Sequence, residues 1–414
     1  MSDSADSAAP VAPLSEAGDA ATRPVVRLKP GAQKRILRGH PWAYSNEIQM
    51  DPACKALPLG SVVRLDSAEG EGLGTALFNR LPLIAARLLS RDPRAEIDDT
   101  FLEARLRRAL AIRERLFDKP FYRPVHAEAD GLPGTIVDRF GDTLVLQINT
   151  AGMERLLEPL IAALDRLIAP ARILLRNEGP ARQMEGLEDR VEALRGSLEE
   201  PIALEENGAR YLADPGEGQK TGWFYDQRDN RAWAARLARD ARVLDGYCYS
   251  GGFTVQAALA GAREVLSIDR SQAALELAAQ AAALNGVAER CRFHKAEVFK
   301  QLDGLARNKE VFDLVIVDPP AFIKSKKDLF QGAKGYRKLA RMAAEVVAPE
   351  GYLFIASCSH HMAPDAFAEQ VRRGVANAGR QARVLHSAGA APDHPVHPAL
   401  PETAYLKALV LAVD

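Results

Sequence analysis

The sequence predicts an α/β protein whose largest domain is a mainly parallel sheet. After about Tyr211, short apolar runs alternate with helical patterns, which indicates a parallel sheet with helices on both faces. Before that point, residues 25–93 show short apolar runs separated by turn residues, which is typical of a small β-rich domain. Between the two, strand candidates flank one helix at about 153–167, and this pattern suggests a compact α+β domain.

Length and composition agree with several folded domains. The chain has 414 residues, enough for two or three domains, and its 47% hydrophobic and 26% charged content is that of an ordinary globular protein. The predicted segments are a disordered tail at 1–22, a β-rich domain at 23–94, a helix and α+β domain at 95–210, and a parallel-sheet domain at 211–414. The tail is rich in Ala, Ser and Pro and lacks any base, so a secretory signal is not expected.

The remaining compositional signals favour a reducing cytoplasm. No apolar run reaches the roughly 18 residues that a membrane-spanning helix needs, so no such helix is expected. Four dispersed cysteines show neither metal-ligand spacing nor a disulfide framework. They are Cys54, Cys248, Cys291 and Cys358.

The elements of the last domain follow in order. A strand pair near 201–204 and 209–212 is expected to close the central domain. Helices are predicted at 272–284 and 336–347. Seven strands are predicted, with these helical patterns in the gaps between them, at 242–245, 264–268, 291–294, 313–317, 352–356, 382–385 and 405–411.

A candidate cofactor loop follows the first of these strands. The run from Asp245 ends in Gly251-Gly252 and enters a helix, but it is not G-x-G-x-x-G and lacks a pyrophosphate cradle. Asp269 ends the second strand, where an acid can hold both ribose hydroxyls of a nucleoside. The pair favours S-adenosylmethionine (SAM) over a dinucleotide. Glu297 is placed either to accept from an adenine amino group or to lie in solvent at a helix N-terminus.

Two chemically active side chains follow neighbouring strand patterns. Asp318 comes directly after 313–317, and Cys358 lies at the end of the apolar run that reaches Ala356. Ligands of open parallel sheets bind outside the carboxyl ends of the strands, so both are candidates for one site. A thiolate can add to an electron-poor ring. From the sequence alone, a nucleophile and a buried filler are equally supported for Cys358.

Charge is distributed unevenly although the net charge is only −1. Residues 23–40 carry six bases and no acid, and residues 324–341 carry seven bases against Asp328 alone. Such stripes can neutralise RNA phosphates, and the alternative is a solvated surface. Trp42 could stack on bases or be buried in the small domain. The basic candidates for RNA contact are Lys34, Arg35, Arg38, Lys324, Lys326, Lys327, Lys334 and Arg337.

Several stretches together resemble RlmI-type ribosomal RNA methyltransferases, and the likeness covers nearly everything after about Pro24. The most specific is the run from Gly218 to Arg231, GQKTGWFYDQRDNR. The others are the loop at 250–253, Asp318-Pro319-Pro320-Ala321-Phe322, Gly335-Tyr336, Ser357-Cys358-Ser359, and the earlier stretches 39–45 and 128–134.

The resemblance implies a PUA-like RNA-binding barrel, a central α+β domain and a Rossmann-like class I SAM-dependent methyltransferase domain. It implies a cytosine-C5 methyltransferase of large-subunit ribosomal RNA, with Cys358 as nucleophile and Asp318 as its partner. Ribosomal RNA is then the partner, no metal is expected, and homodimerisation stays open. The residues implied to surround SAM are Gln227, Arg228, Asp245, Gly246, Tyr247, Tyr249, Ser250, Gly251, Gly252, Asp269, Arg270, Glu297 and Asp318.

The implied chemistry sets further expectations. The Cys358 thiolate would add to C6, and Asp318 would form a hydrogen bond at N3 or at the exocyclic amine. To donate at N3, Asp318 must carry a proton, which requires a pKa raised by burial. Lys324 or another cation is expected to favour the thiolate. Pro320 and Ala321 stand where many RNA cytosine-C5 methyltransferases carry a second cysteine, so the base that removes the C5 proton is unnamed. The alternatives are a guanine-N methyltransferase and a non-catalytic RNA-binding assembly factor.

Overall fold

The computed structural model describes residues 23–197, 201–216, 218 and 221–414. The predicted tail at 1–22 and part of the motif beginning at Gly218 lie outside these residues. The described residues divide into two compact units, one within Met1–Glu199 plus Pro395–Leu400 and one within Glu200–His394 plus Pro401–Asp414. Among the described residues, no helix is long and apolar enough to cross a membrane.

The first unit begins with a five-stranded sheet of order β1-β3-β4-β5-β2. All its neighbours pair antiparallel except β1 and β3. Its elements are β1 (Val25–Arg27), α1 (Gln33–Leu37), β2 (Trp42–Tyr44), α2 (Pro52–Ala56), β3 (Ser61–Asp66), β4 (Gly72–Phe78) and β5 (Ile84–Ser90).

A second five-stranded sheet, of order β10-β9-β8-β7-β6, completes this unit. Leu77 and Leu89 of the first sheet are buried in one hydrophobic cluster with Val137 and Leu146 of the second, so the two sheets share a core. The elements are α3 (Asp99–Leu116), β6 (Phe121–His126), β7 (Thr135–Phe140), β8 (Thr143–Ile148), α4 (Ala151–Arg155), α5 (Leu157–Ile168), β9 (Arg172–Asn177), α6 (Pro180–Met184) and β10 (Arg190–Arg195).

The second unit contains a two-stranded hairpin and a seven-stranded sheet. Its elements are β11 (Ile202–Glu206), β12 (Ala209–Ala213), α7 (Arg228–Ala235), β13 (Arg242–Gly246), α8 (Gly252–Leu259), β14 (Glu264–Asp269), α9 (Gln272–Leu284), β15 (Cys291–Lys295), α10 (Val298–Arg307), β16 (Phe312–Val317), α11 (Leu329–Glu345), β17 (Val347–Ser357), α12 (Pro364–Asn377), β18 (Ala382–Ala388) and β19 (Lys407–Val413).

The large sheet has the order β15-β14-β13-β16-β17-β19-β18. The first five strands in this order, from β15 through β14, β13 and β16 to β17, run parallel. Strand β19 runs antiparallel to both of its neighbours, β17 and β18. The chain first extends the sheet outward from β13 and then returns to add β16 on the other side. This reversal opens a crevice at the carboxyl ends of β13 and β16, which is where open α/β sheets bind ligands.

The hairpin of β11 and β12 lies in the second unit, whereas the sequence placed it in the central domain. A side chain and a backbone amide of the hairpin bond to residues in or at the end of helices of the large sheet's domain: Gln256 Nε2 of α8 donates to the Tyr211 hydroxyl at 2.9 Å. The Arg210 amide donates to Asn285 Oδ1 at 3.0 Å. A periodicity argument assigns the strands but cannot show which domain they pack against.

Two further differences concern where elements begin and end. The single helix predicted at 153–167 is two helices that meet at Leu156. Helix α11 begins at Leu329, seven residues before the predicted start, and directly follows a 3-10 turn at Lys326–Asp328 that a capping box of Ser325 and Asp328 stabilises. The Ala-rich helix at 272–284 matches α9, which the Ser271 side chain caps.

Candidate active site

The loop after β13 has an unusual backbone. Tyr247 and Tyr249 have φ angles of 67° and 48°, in the left-handed region that non-glycine residues seldom occupy. The Tyr247 and Cys248 amides both donate to the Ile268 carbonyl of β14, at 2.9 and 3.1 Å. These bonds hold the loop against the next strand, so the strain is stabilised by the sheet itself. Strain of this kind is concentrated at binding sites.

Asp269 and Ser250 offer the polar groups that a nucleoside needs. The Asp269 carboxylate accepts from the Tyr249 amide at 3.0 Å and the Ser271 amide at 2.9 Å, which fixes its orientation. Each oxygen retains a lone pair for a ribose hydroxyl. The buried Ser250 hydroxyl has no hydrogen-bond partner. An oriented carboxylate at the end of β14 and an unpartnered hydroxyl in the loop after β13 fit the predicted SAM.

Other residues predicted around SAM have roles within the protein. The buried Asp245 accepts from the Thr254 hydroxyl at 2.6 Å, and burial raises the pKa of its carboxyl to about 7. Glu297 caps α10 by accepting from the Phe299 and Lys300 amides at 3.2 and 2.9 Å. Its capping role does not depend on a ligand, so adenine contact stays a prediction for Glu297.

The glycines of the loop are needed for packing. A Cβ at Gly251 would lie 2.9 Å from Ala278 Cβ, and one at Gly252 would lie 2.4 Å from the Arg231 Nε. Arg231 is buried and pairs with Glu206 at 2.6 Å. These glycines therefore let a helix and a guanidinium approach the loop. Gly246 is the last residue of β13, and its carbonyl accepts from the Asp318 amide at 3.4 Å.

Gln227 and Arg228 stand at the start of α7, and Arg270 is exposed beside Asp269. Gln227 Nε2 donates to Asp318 Oδ2 at 2.8 Å. A residue predicted to contact SAM is therefore hydrogen-bonded directly to the candidate catalytic carboxylate. The buried Arg228 lies 3.7 Å from a Glu206 oxygen. Arg228 therefore belongs to the buried group of charged side chains in which Glu206 of β11 contacts both Arg231 and Arg228.

Cys358 and Asp318 lie at the carboxyl ends of adjacent parallel strands. Val317 pairs with Ile355 in β16 and β17, and each strand then delivers its functional residue to the same edge. Cys358 Sγ donates to the Pro319 carbonyl at 4.0 Å. Cys358 is partly exposed, whereas Cys54 and Cys248 are buried. A solvent-accessible thiol beside a carboxyl is an arrangement for nucleophilic chemistry on a bound substrate.

A hydrogen-bond network joins the loops that carry these two residues. The Ser359 hydroxyl accepts from the Ile323 amide at 3.2 Å and shares a 2.8 Å hydrogen bond with the Tyr336 hydroxyl. A Cβ at Gly332 of α11 would lie 2.8 Å from the Phe322 carbonyl. Close approach of α11 therefore fixes the Asp318 loop against the Cys358 loop.

Burial controls the protonation of Asp318. It raises the pKa of the half-buried Asp318 carboxyl to about 7, and the nearby Asp226 adds to the shift while the hydrogen bond from Gln227 opposes it. Asp226 in turn accepts from the Tyr405 hydroxyl at 2.5 Å. A pKa this high leaves a protonated fraction of Asp318 at neutral pH, which a carboxyl with the ordinary value would lack.

Lys407 is a site residue that the sequence analysis missed. Its Nζ is buried and donates to the Ser359 and Tyr405 carbonyls, both at 2.6 Å. In the β17–β19 pairing, Lys407 is opposite Ser357, the residue before Cys358. A lysine that opens the apolar run of β19 was the only sequence signal for it.

The predicted RNA contacts fall into two groups. The exposed ones are Lys34, Arg38, Lys324, Lys326, Lys327 and Lys334. The others have partners within their own unit: Arg35 pairs with Glu47, the Trp42 indole donates to Glu128 at 2.9 Å, and Arg337 donates twice to Gln370. Phe330, 72% exposed at the start of α11, was not singled out.

Comparison with known proteins gives matches over both units. Residues 26–91 match the family model of a PUA-like domain, and residues 164–412 match that of the S-adenosylmethionine-dependent methyltransferases. The predicted fold class and cofactor are thereby confirmed. SAM is the cofactor of this domain.

The chain is similar over its length to solved structures and to named relatives. A SAM-dependent methyltransferase from Streptococcus mutans has a TM-score of 0.79 at 21% identity, covering 94% of this chain and 100% of that one. A methyltransferase complexed with SAH has a TM-score of 0.80 at 21% identity with the same coverage. At this identity the likeness shows the shared fold.

Two relatives are more similar in sequence, and both are called ribosomal RNA large subunit methyltransferase I. The protein from Tolumonas auensis is 38% identical over 93% of this chain and 98% of its own length. The protein from Pseudoalteromonas atlantica is 35% identical over 94% of this chain and 99% of its own length. Both matches span the PUA-like and methyltransferase domains, so the chain belongs to the ribosomal RNA large subunit methyltransferase I family.

Proposed function

We propose that this chain methylates C5 of a cytosine in large-subunit ribosomal RNA, with Cys358 as the nucleophile. The names of its relatives indicate the kind of RNA, which is the large-subunit ribosomal RNA. The observation that carries the cytosine chemistry is the partly exposed Cys358 thiol beside Asp318, at the carboxyl ends of adjacent strands. A guanine-N methyltransferase needs no such thiol, because a nitrogen lone pair can attack the methyl donor directly.

The residues can activate a carbon that is a poor nucleophile. The Cys358 thiolate forms a bond to C6, and Asp318 gives its proton to N3, so that C5 becomes electron-rich. SAM supplies an electrophilic methyl group, which C5 accepts. A base then removes the C5 proton, the C6–S bond breaks, N3 releases its proton and Cys358 leaves as a thiolate.

The protonation state of Asp318 supports this role. A carboxyl with its ordinary pKa would be ionised at pH 7 and could not donate to N3. Burial raises the pKa of Asp318 to about 7, which keeps a protonated fraction available. Gln227 holds one oxygen in place.

Exposed lysines support the RNA partner. Lys324, Lys326, Lys327 and Lys334 are exposed along the segment that runs from Asp318 into α11. The one acid among them, Asp328, accepts from the Ser325 amide and hydroxyl. Positive charge on the segment that follows Asp318 would bind the phosphates that flank the target nucleotide.

Trapping on RNA that contains 5-fluorocytidine tests the proposal. Fluorine at C5 cannot be removed as a proton, so the adduct should persist and map to Cys358 by peptide mass spectrometry. C358S should give no adduct and lose methyl transfer. C291S, which changes a half-buried cysteine of β15, is the matched control and should behave as wild type. Full activity of C358S would reject the nucleophile.

Nucleoside mass spectrometry separates the proposal from its rival. Ribosomal RNA from a deletion strain should lack one 5-methylcytidine, and the purified enzyme should restore it in the presence of SAM. Loss of a methylguanosine in its place would move the chain to the guanine-N class.

A further inference from the structure

Lys407 is a buried cation whose Nζ is held by carbonyl oxygens. It is 6% exposed, and its Nζ donates to the carbonyls of Ser359 and Tyr405. Within the described part of the chain, no carboxylate forms an ion pair with it. Carbonyl oxygens satisfy two of the three N–H donors but leave the positive charge uncompensated. Burying such a charge is costly unless an anion lies nearby.

Cys358 lies between the two residues that position this charge in the sheet. Ser359, whose carbonyl holds the ammonium, follows Cys358 directly, and Ser357, which precedes it, is opposite Lys407 in the sheet. Burial lowers the pKa of Lys407 to about 8, while negative charge on Cys358 opposes that change. The ammonium and a thiolate at Cys358 therefore stabilise each other.

Other ionisable groups around the thiol do not supply this charge. Asp318 at the end of β16 carries negative charge when ionised, and Tyr336 of α11 and Tyr405 before β19 are neutral or negative. His360 is exposed and stacks on Tyr405 at 5.1 Å. Lys324, the cation favoured by the sequence, is exposed, so water and salt screen its charge.

We infer that Lys407 is a positioning residue that holds Cys358 as a thiolate before RNA binds. The thiol proton passes to solvent, and no bond forms between the two side chains. The inference rests on the proposed function in that it gives the thiolate a use, but the charge pairing can be measured without SAM or RNA.

Alkylation by iodoacetamide, followed residue by residue by mass spectrometry, measures the thiolate fraction. Wild type, K407R and K407M are compared from pH 6 to pH 10. At pH 7 the Cys358 rate in K407M should fall at least tenfold, since a neighbouring opposite charge changes the ionised fraction by about that factor or more. K407R keeps the charge and should stay within about threefold of wild type. The rates should converge near pH 10.

Cys291 reports whether each variant is folded. It is half-buried in β15, burial raises the pKa of its thiol to about 11, and its slow alkylation should be the same in all three proteins. If K407M alkylates at Cys358 as fast as wild type while Cys291 stays slow, the inference is wrong. If K407M exposes Cys291, the pH profile of the wild-type protein is used in place of the variant. The rate of Cys358 alkylation in wild type should then stay high below pH 8. A steep fall of that rate below pH 8, as for an ordinary thiol, would overturn the inference.

The outcome is distinguishable from failure of the proposed function. A reactive thiolate that forms no adduct on 5-fluorocytidine RNA rejects the cytosine chemistry and leaves the role of Lys407 intact. An adduct formed by a thiol with ordinary pH dependence rejects the role of Lys407 alone.

Discussion

Replacing Asp318 by asparagine should lower activity and raise stability, and burial of this carboxyl causes both effects. Its pKa is raised from 3.8 to about 7 by burial. The folded protein therefore keeps a proton between about pH 4 and pH 7 that the unfolded chain has released. Because the folded state binds more protons in this window, the free energy of unfolding falls as the pH rises through it.

The size of the effect follows from the shift. A shift of about 3 pKa units between the unfolded and folded chain corresponds to roughly 4 kcal/mol of unfolding free energy. The asparagine oxygen can still accept from Gln227 Nε2. D318N should thus be more stable than wild type by roughly 4 kcal/mol at pH 8 and equally stable at pH 3.

Urea denaturation at pH 3, 5, 7 and 8 measures the stability, and single-turnover methyl transfer at saturating SAM measures the activity. Asparagine cannot give a proton to N3, so the rate should fall by roughly 10²–10⁴. E402Q, which changes an exposed acid, should alter neither quantity. A wild-type rate in D318N would refute the acid role, and a loss of stability at pH 8 would refute the burial argument.

Three further predictions concern the packing and charge around the site. E206Q removes the buried charge that Arg231, Arg228 and the Trp223 indole share, so unfolding by urea at pH 7 should show a loss of about 3–5 kcal/mol. Glu205→Gln, on the other face of β11, is the control, and a loss in E206Q below about 1 kcal/mol would contradict the account. G332A places a Cβ 2.3 Å from Ile323 Cγ1 and should cost about 1–3 kcal/mol and slow methyl transfer, whereas G304A meets nothing within 4 Å and should gain up to about 1 kcal/mol. Equal thermal melting temperatures of the two glycine variants would show that α11 does not fix the loop. The double variant K326Q/K327Q should reduce the slope of log affinity for RNA against log salt by about 0.7–0.9 per lysine, measured by fluorescence anisotropy, and an unchanged slope would remove these lysines from the RNA surface.

The sequence alone carried the order of elements in the methyltransferase domain. Alternation of apolar strands with helical periods is a local property, so it located β13 to β17 and β19 to within a few residues, except for the early start of β17 at Val347. Candidate site residues at the carboxyl ends of strands could be identified for the same reason, because the strand pattern itself is local. Parallel strands bring their carboxyl ends to one edge, so Asp269, Asp318 and Cys358 could be assigned there from sequence position.

Tertiary packing decided what periodicity cannot encode. The hairpin of β11 and β12 packs on the second unit because Tyr211 and Arg210 find hydrogen-bond partners on α8 and at the end of α9. Glu297 caps a helix, and Gln227 donates a hydrogen bond to Asp318. Sequence position alone does not reveal either contact, because both depend on how the side chains lie in the folded chain.

The domain types, the SAM cofactor and the placement of a thiol and a carboxyl at strand ends could all be predicted before folding is considered, because strand ends and motifs are local features. The electrostatics around the thiol and the carboxyl depend on contacts between residues that are distant in sequence. Lys407 is distant in sequence from Cys358 and comes opposite its neighbour Ser357 through the antiparallel pairing of β17 with β19. The pKa of Asp318 likewise depends on burial and on Asp226, two properties that exist only once the chain has folded.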